Sequence, residues 1–214
     1  MKDLKRLLDQ NKVWAAGIRA SDPDFFPKLA KQQTPTFLWI GCADSRVPAT
    51  QLVGLGVGEM FVHRNVANVV VHTDFNCLSV MQYAVDVLKV DHIIVCGHDG
   101  CGGVKAALQN PQLGLIDNWL RHVQDVMHLH EDLLAQIEDE SERIDRLCEL
   151  NVIEQVVNVS RTTILQTAWQ RGQEIVVHGW IYGLQDGLLR DLRISVDNAA
   201  GLNPAYQNAL KLLT

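Results

Sequence analysis

The sequence is poor in the features that mark several protein classes. It has no apolar run long enough to span a membrane, and its first residues lack the apolar block of a signal peptide. The net charge is −6, which argues against a nucleic-acid phosphate backbone as a partner. Its 5 cysteines form no regular disulfide framework, which indicates a reducing compartment. We therefore expect a cytoplasmic protein.

Two nucleotide-binding signatures are also missing. The Gly-rich stretch 97–103 contains no Gly-Lys-Ser/Thr of a phosphate-binding P-loop and lacks the third glycine of the dinucleotide fingerprint. We interpret its glycines as allowing a tight backbone turn before a helix that starts at Val104. A nucleotide site is therefore not expected.

The composition is that of an ordinary folded protein. The chain has 214 residues, of which 47% are hydrophobic and 21% charged, and a chain of this length buries roughly 70% of its unfolded surface. We find no repeats and no internal domain boundary. We therefore expect one domain over residues 1–214, in which residues 1–35 form an N-terminal helical arm.

The hydrophobic pattern predicts an α/β fold with a mainly parallel central sheet, flanked by helices. Four parallel strands are predicted at 37–40, 59–63, 93–96 and 174–182, and the turn at Asp186-Gly187 returns an antiparallel edge strand over 188–196. Helices are predicted at 3–18, within 21–35, at 74–89, from Val104, at 114–136, at 141–171 and after Asn198.

Chemically active side chains follow two of the predicted strands. The first strand ends in Cys42-Ala43-Asp44-Ser45-Arg46, and the third is followed by His98 and Cys101. Ligands of open α/β sheets bind at the carboxyl ends of the strands, so neighbouring strands would bring these side chains together. Two thiolates and one imidazole, with a fourth position open to water or to an oxygen ligand, match a catalytic zinc site.

Each half of this pattern also has a plainer explanation. A lone buried cysteine is usually a core residue, and His98 could be a hydrogen-bonded core histidine.

We assign Cys77, Cys96 and Cys148 to the core, because their neighbours are apolar. The histidines of the 114–136 helix do not share one face at metal-binding spacing, so we place them on the surface: His122, His128 and His130.

The motifs resemble the beta-class carbonic anhydrases. The resemblance is carried by Cys42-x-Asp44-x-Arg46, by His98-x-x-Cys101 and by the segment Phe61-Val62-His63-Arg64-Asn65-Val66-Ala67-Asn68, and it extends from about Trp14 to Gly187. The likeness is greatest to bacterial members that have a regulatory bicarbonate pocket. It implies one zinc ion per chain and the reversible hydration of carbon dioxide to bicarbonate and a proton.

The resemblance assigns roles to individual residues. Zinc would be held by Cys42, His98 and Cys101, with Asp44 as a fourth ligand in a closed, inactive state. In the active state Arg46 would hold Asp44, which then accepts a hydrogen bond from the nucleophile at the metal. The family's substrate cleft corresponds to the following residues, the first of them reaching in from a neighbouring subunit: Gln33, Phe61, Val66 and Tyr83.

A second set of residues matches the regulatory pocket. Trp39, Arg64 and Tyr182 correspond to the positions that hold a non-catalytic bicarbonate in the relatives that switch. Without the resemblance they would be a core tryptophan, a structural arginine and a strand tyrosine. An occupied pocket would release Asp44 from Arg46 and let it close the metal site. We therefore expect inhibition by bicarbonate and by low pH.

Several alternatives stay open from the sequence. The same fold and nucleophile could hydrolyse carbon disulfide or carbonyl sulfide, or the chain could be a non-catalytic zinc or bicarbonate sensor. Asp99 either raises the pKa of water at the metal or faces solvent. The resemblance also implies a homo-oligomer, a dimer or a dimer of dimers, in which the apolar face of the N-terminal helix packs on a partner subunit.

Overall fold

The computed structural model describes residues 2–213, which form two compact units that meet in sequence between Thr34 and Pro35. The first unit consists of helix α1, Lys2–Ser21, and the short helix α2, Phe25–Leu29. Within this unit the ring of Trp14 packs edge-on against Phe26 at 5.7 Å between centroids. The leucines of α1 stay largely exposed: Leu4 by 68%, Leu7 by 54% and Leu8 by 65%. Both predicted N-terminal helices are present, whereas the division into domains and the packing of the arm on a partner stay predictions.

The second unit is built on a five-stranded sheet in the order β2-β1-β3-β4-β5. The strands are β1 Phe37–Cys42, β2 Met60–Asn65, β3 His92–His98, β4 Val176–Tyr182 and β5 Leu189–Val196. The first four are parallel and β5 is an antiparallel edge strand. The predicted fold class is thus confirmed.

Helices of this unit follow the strands in chain order. They are α3 Ala49–Leu52, α4 Phe75–Gln82, α5 Gly102–Gln109, α6 Ile116–Leu129, α7 Glu131–Leu134, α8 Glu140–Arg161, α9 Thr163–Gln170 and α10 Leu202–Lys211. Helix α4 continues as a π-helical turn, Tyr83–Leu88. None of the helices in the described part of the chain is long and apolar enough to cross a membrane.

Two of the predicted helices were too long. The helix expected at 141–171 is broken at Thr162, whose ψ of 147° is not helical. The Thr162 hydroxyl donates to the carbonyl of Val159 and accepts from the amide of Leu165, so this residue caps a new helix instead of continuing the old one. The helix expected at 114–136 is likewise divided at His130.

His130 is not a surface residue, contrary to the sequence-based prediction. It is buried, and its Nε2 lies 2.8 Å from Oε1 of Glu154 in α8. The phenol of Tyr206 in α10 donates to the same oxygen at 2.7 Å. His128 is exposed as predicted, and His122 is half-buried beside Trp119.

The core lies between the sheet and α8, and two glycines allow the close approach. A Cβ atom on Gly97 would lie 2.6 Å from Val152, and one on Gly179 would lie 2.6 Å from Ile194 and 3.1 Å from Val156. A smaller apolar cluster covers the opposite face of the sheet and contains Trp39, Ile94 and Cys96. All 5 cysteines are buried free thiols, so the expected burial of Cys77, Cys96 and Cys148 is confirmed. The cytoplasmic location stays a prediction.

Candidate metal centre

The parallel pairing of β1 with β3 brings the two sequence motifs together. Cys42 is the last residue of β1 and His98 the last of β3, and the two strands pair with Gly41 opposite Cys96. Cys101 lies three residues beyond His98, at the residue that precedes α5. All three side chains are buried, and their donor atoms lie within 4.8 Å of one another.

The spacing of the donor atoms fits a zinc ion. The two sulfurs of Cys42 and Cys101 are 3.8 Å apart, and two thiolates at ~2.3 Å from a tetrahedral zinc would be separated by about 3.8 Å. The Nδ1 of His98 donates to the carbonyl of Asp99 at 3.0 Å, so in the neutral ring Nε2 is the unprotonated nitrogen. That Nε2 is buried and has no hydrogen-bond partner among the described residues, as expected of an atom that binds a metal.

The electrostatics of the cluster favour a cation. A hydrogen bond from Cys101 lowers the pKa of Cys42 to about 4, and the Cys42 thiolate in turn raises the pKa of Cys101. Burial by itself would lower the pKa of His98, but the neighbouring Cys42 thiolate outweighs burial and raises it. The Cys42 thiolate thus attracts positive charge, and a divalent cation bound there would release the remaining thiol proton.

Asp44 and Arg46 form a bidentate ion pair beside the cluster. The Nε of Arg46 donates to Oδ1 at 2.9 Å and Nη2 donates to Oδ2 at 2.7 Å, while the Arg46 amide also donates to Oδ1. This hydrogen bonding holds the pKa of the Asp44 carboxyl well below its usual range. Oδ2 lies 3.7 Å from Nε2 of His98, so the carboxylate borders the cluster while Arg46 holds it.

Arg64 fixes the backbone between the two motif residues. Its Nε donates to the carbonyl of Cys42 at 2.8 Å, and its Nη2 donates to the carbonyl of Asp44. Two side chains of the expected regulatory set, Trp39 and Tyr182, lie in the same apolar cluster on the face of the sheet opposite α8. Arg64 contacts the metal-site loop, whereas Trp39 is fully buried and packs edge-on against Trp180 at 6.5 Å.

The second loop of the site is held by residues that the sequence did not reveal. The guanidinium of Arg190 in β5 donates to Asp99 Oδ2 at 2.7 Å, and the carboxylate of Asp145 in α8 accepts the amide of Gly100 at 2.7 Å. Neither expectation for Asp99 included this pairing, which neutralises its charge. No local pattern could have found these partners, because they lie 91 and 45 residues away in sequence.

The expected pocket residues are only partly brought together. The rings of Phe61 and Tyr83 lie 5.9 Å apart, and the side chain of Val66 adjoins Gly103 at the start of α5. The indole of Trp119, which the sequence reading did not include, donates to the carbonyl of Val66 at 2.9 Å. Gln33 is an exposed loop residue of the N-terminal unit. The pocket assignment therefore stays a prediction.

The chain is similar to known proteins over most of its length. The sequence profile of the carbonic anhydrase family matches residues 37–189. A carbonic anhydrase of Emericella nidulans is 51% identical over 189 residues, which cover 88% of this chain and 83% of that protein.

Solved structures show the same likeness. A beta-carbonic anhydrase of Coccomyxa, in complex with acetazolamide, has a TM-score of 0.90 at 37% identity, with 99% of this chain and 98% of that one covered. One of two tetrameric beta-carbonic anhydrases from Sordaria macrospora has a TM-score of 0.87 at 39% identity, with 92% and 100% covered. These matches support the class and leave the expected bacterial subtype unconfirmed. The chain therefore belongs to the beta-class carbonic anhydrase family.

Proposed function

We propose that this protein is a zinc enzyme that converts carbon dioxide and water reversibly to bicarbonate and a proton. One observation carries the proposal. Three buried donor atoms stand at the spacing of a tetrahedral zinc site, and a carboxylate held by an arginine borders them. The family membership of the chain supports the same activity.

Cys42, His98 and Cys101 would hold the zinc ion. When bound, zinc would supply the Lewis acidity that makes water a nucleophile near neutral pH. Three protein ligands leave one tetrahedral position free, which is the arrangement of a catalytic site.

The carboxylate of Asp44 would orient the nucleophile. Arg46 donates three hydrogen bonds to this carboxylate, two to Oδ1 and one to Oδ2. Oδ2 therefore keeps a lone pair on the side that faces His98. Because the pKa of Asp44 is well below its usual range, this oxygen stays an acceptor at physiological pH. It would accept one hydrogen bond from the attacking water or hydroxyl group and so direct the oxygen lone pair at the carbon.

Carbon dioxide is small and uncharged, so its pocket needs apolar walls. The adjacent rings of Phe61 and Tyr83, together with Val66, are suited to that role, and Gln33 would contribute from a second subunit. A purely structural zinc site or a sensor has no use for the Asp44–Arg46 pair. Hydrolysis of carbon disulfide or carbonyl sulfide would use the same groups and differ only in access to the pocket.

The first prediction concerns zinc. Cys101→Ala leaves two ligands at the cluster, so the purified protein should lose this tightly held zinc and its carbon dioxide hydration together, as measured by metal analysis and stopped-flow assay. The control is Cys96→Ala, which removes an equally buried thiol outside the cluster and should keep the metal. One zinc per chain retained by Cys101→Ala would contradict the ligand assignment.

The second prediction concerns the ion pair. Asp44→Asn should keep zinc but lower kcat/KM by roughly 10²–10⁴, because the amide cannot replace a carboxylate acceptor that Arg46 holds. Asp86→Asn breaks another Asp–Arg pair, that with Arg171, and serves as the matched control. Unchanged turnover in Asp44→Asn, or an equal loss in the control, would show that the pair does not act in catalysis.

We also propose that bicarbonate inhibits the enzyme at Trp39, Arg64 and Tyr182. The support is that Arg64 donates to the carbonyls of Cys42 and Asp44, so an anion that draws Arg64 away would loosen the loop. Tyr182 is linked to the other loop, since its carbonyl accepts the amide of Asp99 at 3.0 Å. Asp44 could then leave Arg46 and take the fourth ligand position. Low pH would favour this closed state, because hydroxide must displace the carboxylate to reopen the site.

The third prediction tests this regulation. Activity should fall as pH decreases and recover above about 8, and added bicarbonate should deepen the loss. Arg64→Ala and Tyr182→Phe should weaken the bicarbonate effect, measured as the ratio of rates with and without bicarbonate at each pH. Tyr206→Phe removes a phenol that bonds Glu154 and should leave the ratio unchanged. Equal bicarbonate dependence in all four proteins would refute the regulatory pocket.

The fourth prediction concerns assembly. We propose a dimer or a dimer of dimers, supported by the exposed leucines of α1 and by the tetrameric relatives from Sordaria macrospora. Leu8→Glu should shift sedimentation toward smaller species, because it places a charge on the apolar face. Leu115→Glu changes a leucine that is 89% exposed elsewhere and is the control. A fully active parent monomer would contradict the proposal.

A further inference from the structure

A second cluster of side chains with metal-ligand chemistry lies where β2 meets the start of α4. Within residues 2–213, His63, Asp74 and Cys77 also bring a nitrogen, an oxygen and a sulfur within 4.8 Å of one another. His63 belongs to β2, Asp74 is the residue that precedes α4, and Cys77 is in the first turn of α4. None of the three belongs to the cluster of Cys42, His98 and Cys101.

We infer that His63, Asp74 and Cys77 form a second site for a divalent cation of the zinc class, which ties β2 to α4. Thiolate, imidazole and carboxylate together are typical zinc ligands, whereas calcium and magnesium prefer oxygen alone. One ion at 2.0–2.3 Å from each donor requires side-chain adjustments of about an ångström. The inference is independent of the proposed reaction, because the two clusters share no residue.

The side chains of His63, Asp74 and Cys77 make no hydrogen bond to one another in the described part of the chain. No hydrogen bond or ion pair joins His63 to Asp74 in the described chain, and Cys77 donates to no described acceptor. Asp74 uses Oδ1 to accept the amide of Asn76 at 3.0 Å, which leaves Oδ2 for another partner. Asp74 Oδ2 and the Cys77 thiol thus converge with the imidazole of His63 from two elements, which is the arrangement expected of a metal site.

The imidazole is in the form that a ligand requires. Burial lowers the pKa of His63, so the ring is neutral at physiological pH. The amide of Asn65 is oriented by Val69, to which it donates at 2.7 Å and from which it accepts at 2.8 Å. Its Nδ2 therefore donates to Nε2 of His63 at 3.3 Å, so Nε2 carries no proton, and an ion bound there would replace this one hydrogen bond.

A reactive-thiol role for Cys77 does not fit. The side chain has no exposed surface, and burial raises the pKa of Cys77 to about 12, so neither access nor thiolate character is present. A cation must displace that proton, so the second site should load only at a raised zinc concentration. It offers one sulfur where the first cluster offers two, so it should load after the first. The half-buried Asp74 gives the ion a route from solvent.

The position of the site suggests what the ion would do. His63 directly precedes Arg64, which donates to the carbonyls of Cys42 and Asp44. An ion that fastens His63 to α4 would stiffen the strand that supports the catalytic loop. Because the folded state alone presents the three donors together, binding would also stabilise the fold by mass action.

The test is a zinc titration of the enzyme that already holds its catalytic zinc. The parent should rise from one to two zinc ions per chain when Zn²⁺ is added in excess, and its Tm should rise with the second ion. Cys77→Ala should stay at one zinc with no zinc-dependent rise in Tm. Cys96→Ala, another fully buried cysteine, should still reach two.

A second variant covers the case in which Cys77→Ala fails to fold. Asp74→Asn keeps the helix cap and the volume of the side chain but removes the carboxylate, so the second zinc should bind at least tenfold more weakly. Cadmium substitution adds a spectroscopic measurement: the parent should show two cadmium resonances and Asp74→Asn a weakened second one. A parent that stays at one zinc in excess Zn²⁺ would overturn the inference, as would an Asp74→Asn variant with unchanged affinity for the second ion.

Discussion

The parallel pairing of β1 with β3 is the constraint on which the site depends. Cys42 and His98 lie 56 positions apart in sequence, yet each ends its strand at the same edge of the sheet. Neither strand can reverse the faces that its side chains occupy, because its apolar residues must face the helical core. These residues are Leu38 and Ile40 in β1 and Ile93 and Val95 in β3. Burial of the apolar residues thus fixes the directions in which the polar ones leave the sheet.

Charge compensation is the second requirement of this site. Two thiols, Asp44 and Asp99 would place several negative charges within one loop region. Arg46 neutralises Asp44, Arg190 neutralises Asp99, and a zinc ion would neutralise the thiolates. Each arginine also positions a backbone segment, so electrostatics and loop geometry are set by the same contacts.

Strand β2 links the two clusters of donor side chains through successive residues. His63 faces Asp74 and Cys77, Arg64 holds the carbonyls of Cys42 and Asp44, and Asn65 anchors the turn at Val69. Because side chains alternate along a strand, neighbouring residues serve opposite sides of the same segment. A change in the position of β2 would therefore reach both clusters.

The sequence by itself determined the parallel sheet, the antiparallel edge strand and the burial of the core cysteines, because periodicity is a local signal. Its strand-end motifs also indicated that Cys42, His98 and Cys101 would cluster. Tertiary structure alone decided that Arg190 pairs with Asp99, that Asp145 holds Gly100 and that His130 is buried against Glu154. It also decided the break at Thr162, where a hydroxyl cap replaces helix continuation. The physical reason is the same in each case: such contacts join residues from separate elements or follow from a local competition between hydrogen bonds, and neither leaves a periodic pattern in the sequence.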